Sequence, residues 1–386
     1  MFNLIRRLDC LLGRFAYSAV FISGSRRPGG NPPAISGVKK ILCVKLWGLG
    51  NLAVIQPLLA RLKKGFPGAE LVFITFDLNK GFLEAMPPVN RVVYFKCTKN
   101  IMSIAWQFMR LLSGLRKERF DLLVNFETFN HASALFSYLA AVPARIGLYT
   151  RYEKAFYTHP VYYDKSAHIS QAFLNLLAPL GLDYAYEYYD YPPRQKDGLK
   201  ISALLNSRKI KDFICFHPGT SGNFKGKRYG PASFAELGGL LMKEYGLPLV
   251  FTGTAGESPM IKRIIRGLTV KGEVFDLSGK LTVMELTELL RRAKLVVCAD
   301  TGPLHIAASL GVNLAVFFGP TSPGKYGPLN RNSIIFYKNL ACSPCVGKDY
   351  LNKKCRHKFA CLDFAPQEAF AGIKERFCLA EKTEAR

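Results

Sequence analysis

From Lys39 onward, short apolar runs alternate with stretches of helical periodicity, and the alternation occurs twice. The first series opens with ILCVKL (41–46) and the turn Trp47-Gly48-Leu49-Gly50-Asn51. Leu52, Ile55, Leu58, Leu59 and Leu62 then mark one helix face. LVFIT (71–75), VVYF (92–95), a helix over 101–117 and LLVNF (122–126) continue it. Strands that alternate with helices predict a parallel, doubly wound sheet. A polar, Tyr-rich stretch at 183–200 breaks the rhythm, which restarts at FICFHP (213–218) and runs through PLVFTG (248–253), LVVCAD (295–300) and NLAVFFGP (313–320). A length of 386 residues suits two such halves. Two α/β halves facing each other leave a central cleft lined by strand carboxyl ends, where ligands of such sheets bind. The expected organisation is an N-terminal segment at 1–38, α/β halves at 39–200 and 201–340, and a Cys-rich basic tail at 341–386.

Charge constrains the partners. Lys and Arg exceed Asp and Glu by 25, which predicts an anionic partner: nucleic acid, an acidic membrane surface or a phosphorylated substrate. Residues 1–40 hold seven Lys/Arg against one Asp. Leu4, Ile5, Leu8, Leu11, Leu12 and Phe15 recur there at helical spacing. An amphipathic basic helix of this kind either lies in a membrane interface or packs on the body of the protein. It lacks the clean apolar core and cleavage site of a secretory signal. Residues 24–37 are rich in Gly, Pro and Ser and read as a linker. No run of about 20 apolar residues predicts a membrane span. Ten cysteines are too few for a disulfide scaffold, and a reducing compartment is expected.

The strongest local signal is Asp300-Thr301-Gly302-Pro303-Leu304-His305, between an apolar strand and a helix. Asp300 or Thr301 is expected to cap that helix, and Pro303 suits its first turn. Gly302 lets a ligand approach the backbone, and a helix N-terminus favours a phosphate. A plain strand-to-helix connection is the other reading. A second loop carries Thr220 and Ser221, followed by Lys225, Lys227 and Arg228, a set able to cradle and neutralise a diphosphate. A third loop, Thr252 to Glu257, also joins a strand to a helix. Gly48-Leu49-Gly50-Asn51 lacks the third glycine of a dinucleotide fingerprint, and no Walker A motif occurs, so no nucleotide cofactor is expected. No Asp-x-Asp pair is present to hold a divalent ion on a diphosphate. Leaving-group charge then falls to cations and helix ends.

Taken together, these motifs resemble glycosyltransferase family 9, the lipopolysaccharide heptosyltransferases. The resemblance runs from Lys39 to about Pro366 and is carried by VKLWGLGN, FHPGTSG, KRYGPASFAEL, FTGTAGE, the run from Asp276 to Gly311 and FFGPTSP. It implies a GT-B fold, with an N-terminal acceptor domain and a C-terminal donor-nucleotide domain, both Rossmann-like. It implies inverting, metal-independent transfer of a sugar, typically from ADP-heptose, to a lipid-linked anionic glycan at the inner face of the cytoplasmic membrane. Thr220, Ser221 and Lys227 would hold the diphosphate, and Glu257 would contact the nucleoside side. Asp300, Thr301, Gly302 and His305 would complete the donor pocket, with Gly48 and Gly50 on the acceptor side. Neither a cofactor nor a nucleic-acid partner is implied.

One departure matters. Where the family's best-known members have a catalytic Asp, this chain has Asn51, and a carboxamide takes no proton near neutral pH. General base catalysis is worth about 10²–10⁴-fold. Glu127, after LLVNF, is the candidate substitute, ahead of Glu153 and His131. Asn51 can still orient an acceptor hydroxyl. The alternative is a catalytically impaired protein of the same fold that binds sugar nucleotides. In the tail, Cys342, Cys345, Cys355 and Cys361 could hold a structural zinc, although reduced or disulfide-bonded thiols are the default reading. A nucleic-acid-binding reading rests on charge alone.

Overall fold

The computed structural model describes residues 37–46, 48–96, 98, 100–128, 131–186, 194–220, 226–345 and 355–379. The expected N-terminal helix and Ser221 lie outside the described residues. The chain divides into two compact units, Met1–Tyr188 and Tyr189–Arg386.

In the first unit, strands β1 (Lys40–Val44), β2 (Glu70–Phe76), β3 (Arg91–Phe95), β4 (Leu122–Asn125), β5 (Ala144–Tyr149) and β6 (His159–Tyr162) form one sheet of order β3-β2-β1-β4-β5-β6. Every pairing is parallel. The central strands are buried along both faces, which explains why they read as continuous apolar runs. Helices α1 (Leu49–Val54), α2 (Gln56–Gly65), α3 (Ile101–Glu118), α4 (His131–Leu139) and α5 (Ile169–Leu174) lie between or after them. Asn100 starts α3 by accepting hydrogen bonds from the Met102 and Ser103 amides. Left-handed Arg119 ends it. Leu112 and Leu115 face the core, and Phe108 meets Phe136 edge to face.

The second unit repeats the plan. Strands β7 (Ile214–His217), β8 (Leu249–Phe251), β9 (Val274–Asp276), β10 (Leu295–Ala299), β11 (Leu314–Phe318) and β12 (Ser333–Tyr337) take the order β12-β11-β10-β7-β8-β9. They too are all parallel. Helices α6 (Gln195–Ser207), α7 (Pro231–Tyr245), α8 (Ser258–Arg266), α9 (Val283–Arg292), α10 (Gly302–Ser309), α11 (Pro323–Tyr326) and α12 (Pro366–Arg376) complete it. Helix α6 starts before residue 201 but belongs to this unit, where Lys200 pairs with Glu285 and Arg292 bonds Ser202. A Thr282/Glu285 capping box begins α9.

Each sheet has one place where its connections depart in opposite directions. It falls between β1 and β4 in the first unit and between β7 and β10 in the second. Ligands of doubly wound sheets bind beyond the carboxyl ends at such switch points. There, Val44 pairs with Asn125 and His217 with Cys298, so the loops that follow these strands start side by side.

The second core centres on Phe317. Its ring stacks on Tyr229 at 4.0 Å and on Phe336 at 4.9 Å, while Phe234 meets it edge on at 6.0 Å. Phe317→Ala should therefore cost about 3–5 kcal/mol. Urea unfolding followed through the second unit should show that loss. A change below 1 kcal/mol would mean that the ring cluster does not organise this core.

Candidate active site

The switch point of the second unit gathers most of the sequence-predicted donor residues. Asp300, directly after β10, is buried. Its Oδ2 accepts hydrogen bonds from Lys227 Nζ at 2.6 Å and from Thr321 Oγ1 at 2.5 Å. Lys227 comes from the loop after β7 and Thr321 from the loop after β11, so one carboxylate ties three loops together. Arg228 donates through Nε to Thr220 Oγ1 at 3.1 Å and through Nη2 to the Thr220 carbonyl at 3.0 Å. The same Nη2 lies 3.7 Å from Glu257 Oε1. Glu257 Oε2 accepts from the Thr254 amide and hydroxyl at 2.8 and 2.9 Å, which fixes its orientation. A Cβ on Gly219 would fall 2.3 Å from Glu257 Oε1, so this loop passes the carboxylate only as glycine.

The expected cap of α10 is not made. Thr301 occupies the N-cap position with no side-chain hydrogen bond to the helix, and the Asp300 carboxylate turns to Lys227 and Thr321 instead. Pro303 does sit in the first turn. Neither Thr301 nor Asp300 therefore caps the positive end of α10, and Asp300, just before it, holds the Lys227 ammonium. Gly302 is the first residue of that helix, and His305 sits one turn along it, half-buried. Burial, with the Asp300 charge added, pushes Tyr326 up to about 12. Sequence reasoning did not single out Thr321 or Tyr326. Thr321 lies in the GPTSP segment and Tyr326 three residues beyond it.

In the first unit, Gly48 has φ 90° and stands before α1, and a Cβ there would lie 3.2 Å from Asn51 Nδ2. Gly50 and Asn51 lie in the first turn of that helix. Glu127 is buried with both oxygens engaged: Oε2 takes Lys45 Nζ at 2.9 Å and Oε1 takes the Leu46 amide at 2.6 Å. This pair fastens the loops after β1 and β4. The two weaker candidates instead form a dyad. His131 Nδ1 lies 2.9 Å from Glu153 Oε1, and Glu153 Oε2 accepts from the Thr150 and Arg151 amides at 3.1 Å each. Burial opposes ionisation of Glu153, but the His131 contact and the amides outweigh it and lower the group to about 2. Burial, together with the charges of Glu153 and Glu127, pushes the Tyr157 phenol up, so both carboxylates act on one ring.

Cys342, Cys345, Cys355 and Cys361 are free thiols. Burial and then the other three thiols raise Cys361 to about 11. Among the described residues no group of three or more His, Cys, Asp or Glu is set to hold a metal ion. Nor is any helix among them long and apolar enough to cross a membrane.

His217 supplies a test of this geometry. It is buried and shares a hydrogen bond of 3.0 Å with Thr252 Oγ1 through Nδ1. Burial lowers it to about 4, with Glu257 pulling the other way. Below the unfolded value near 6.5 the unfolded chain binds the extra proton and the folded one does not. Stability should fall between pH 6.5 and 4, and His217→Gln should flatten that limb in urea titrations across pH. An unchanged slope would contradict the burial of a neutral imidazole.

Comparison with known proteins places this arrangement. The family model described as glycosyltransferase family 9 (heptosyltransferase) matches residues 108–356. Lipopolysaccharide heptosyltransferase 3 of Escherichia coli is 26% identical over 297 residues, covering 75% of this chain and 86% of its own. The solved E. coli ADP-heptose lipopolysaccharide heptosyltransferase II superposes with a TM-score of 0.69 at 21% identity, over 87% of this chain and 98% of that one. An E. coli heptosyltransferase solved with ADP gives 0.63 at 21%, over 77% and 92%. These superpositions show the shared two-sheet fold.

Proposed function

The chain belongs to glycosyltransferase family 9, and from that premise we propose that it transfers heptose from ADP-heptose, with inversion, to a lipopolysaccharide core or related glycolipid. The relative named for lipopolysaccharide and the relative solved with ADP support this choice of acceptor and donor. The observation that carries it is the Lys227–Asp300–Thr321 cluster beside the uncapped start of α10. A diphosphate seated there meets Lys227, Arg228, the hydroxyls of Thr220 and Thr301, and the amide end of the helix. Fixed charges and dipoles of this kind stabilise a departing phosphate, and removing one such donor costs about 10²–10³-fold in rate. The cluster supplies leaving-group stabilisation without a divalent ion. Ser221 and His305 complete the donor loops in this reading, and Glu257 faces the nucleoside. The acceptor binds the first unit, at the Gly48–Asn51 turn. A lipid-linked acceptor puts the reaction at the inner face of the cytoplasmic membrane.

The acceptor oxygen attacks the anomeric carbon, and the bond from that carbon to the diphosphate breaks with its electrons leaving on ADP. The acceptor proton goes to His131, which Glu153 orients and whose imidazolium it stabilises. Asn51 orients the attacking hydroxyl. Glu127 holds Lys45 and the switch-point loop rather than taking the proton.

Two measurements test this reading. Calorimetric titration with ADP in excess chelator should show binding, and Lys227→Met should weaken it by about tenfold or more. ADP binding only in the presence of Mg²⁺ would contradict the metal-independent site. In transfer assays, His131→Gln should lower kcat by about 10²–10⁴-fold with little change in ADP affinity. Glu153→Gln should move the acid limb of the rate profile to lower pH, because the imidazolium loses its stabilising carboxylate. Asn51 favours a second reading, a sugar-nucleotide-binding protein with impaired transfer. An inactive wild type and an active Asn51→Asp variant would establish it.

A further inference from the structure

Helix α3 (Ile101–Glu118) has one face in the core and another that, among the described residues, stays largely exposed. Met102 is 83% exposed, Trp106 60% and Met109 65%. At 100° per residue these three fall within about 60° of arc, with Leu112 to one side of it and Leu115 on the far side of the helix. The same meridian continues through Ser113 to Lys117, with Arg110 beside it and Arg119 just beyond the helix. The exposed face is therefore apolar over its first turns and cationic over its last. Arg110 lies over the Trp106 ring at 5.1 Å, which places a cation at the rim of the apolar patch. Among the described residues, no carboxylate pairs with Arg110, Lys117 or Arg119.

The neighbourhood has the same character. The helix packs beside β3, an edge strand of its sheet. Gln107 accepts a hydrogen bond from the Lys96 amide and holds the two together. A groove of about 630 Å³ runs between them, with Arg91, Lys96, Trp106 and Arg110 in its walls. Its acidic member, Glu118, is paired with Arg91.

We propose that this face of α3 docks on an anionic lipid bilayer, with Met102, Trp106 and Met109 entering the interface and Arg110, Lys117 and Arg119 meeting headgroup phosphates. Flexible thioethers and an indole suit that boundary, where an apolar body is buried and a polar edge stays wet. Cations near the surface add attraction to anionic lipid. Charge complementarity also argues against the nearest competing occupant. A second copy of the chain, related by twofold symmetry, would bring the unpaired cations of two identical faces together, and the whole chain carries a formal charge of +25. The proposal deepens the functional reading by naming the face that meets the membrane, but it stands on α3 alone and does not depend on the donor.

The chain contains two tryptophans, Trp47 and Trp106, so Trp47→Phe leaves Trp106 as the only indole reporter in the full-length protein. Vesicles of phosphatidylglycerol and phosphatidylethanolamine should shift its emission to the blue. Brominated acyl chains should quench it, and phosphatidylcholine vesicles should do neither. The triple variant M102S/W106S/M109S, which alters only exposed side chains, should keep its thermal midpoint and lose roughly tenfold or more in vesicle affinity. Its transfer to a water-soluble acceptor fragment should match wild type, which separates failure of docking from failure of the proposed activity. Vesicle binding with unchanged Trp106 emission would overturn the proposal by placing the contact elsewhere on the chain. A blue shift that follows protein concentration in the absence of lipid would also overturn it, in favour of self-association.

Discussion

The ion pair between Lys227 and Asp300 holds the second unit's switch point together. An aspartate buried after a central strand is costly unless a cation and a hydrogen-bond donor satisfy it. Lys227 and Thr321 do so from the loops after β7 and β11. Removing one partner of such a pair costs about 3–5 kcal/mol, because the remaining charge stays buried. The pair also explains why α10 starts without a side-chain cap. The carboxylate that could have covered its first amides faces Lys227 instead. What reads as a missing cap is a helix start whose preceding carboxylate is held by a fixed ammonium.

The first unit repeats the topology and the device with a different outcome. Lys45 and Glu127 form a buried pair at the equivalent switch point, after the equivalent strands. Here the Leu46 amide takes the second carboxylate oxygen, so the pair is closed on itself. A second pair stands one connection further along, where His131 at the start of α4 meets Glu153 after β5. One sheet plan thus carries a lysine–aspartate–threonine loop cluster in one unit and an imidazole beside a carboxylate in the other. In both, the rigid parallel sheet sets the loop positions and the loops supply the chemistry.

Much of this was legible in the sequence. The apolar runs at 41–46, 122–126, 213–218 and 295–300 all became central strands, because strands buried on both faces leave continuous apolar stretches. The helix expected over 101–117 occupies Ile101–Glu118. The loops around Thr220, Glu257 and Asp300 do follow strands, as Gly and hydroxyl residues between an apolar run and a helical pattern imply. Pair identities were not legible. Lys227 and Asp300 are 73 residues apart, and only the folded sheet brings them to 2.6 Å. Local rules assigned Asp300 to its own helix, a reasonable preference that a distant lysine outcompetes. The pairing of Glu127 with Lys45, 82 residues away, was hidden for the same reason. The exposed face of α3 was hidden as well, because periodicity shows that a helix has apolar residues on several sides but not which side the core takes.

A crystal structure of the ADP complex grown without divalent metal tests the central claim most directly. The diphosphate should lie against Lys227 and the first amides of α10, with Asp300 still holding the lysine. A nucleotide bound away from the β7–β10 switch point, or one whose phosphates turn from Lys227, would contradict the account.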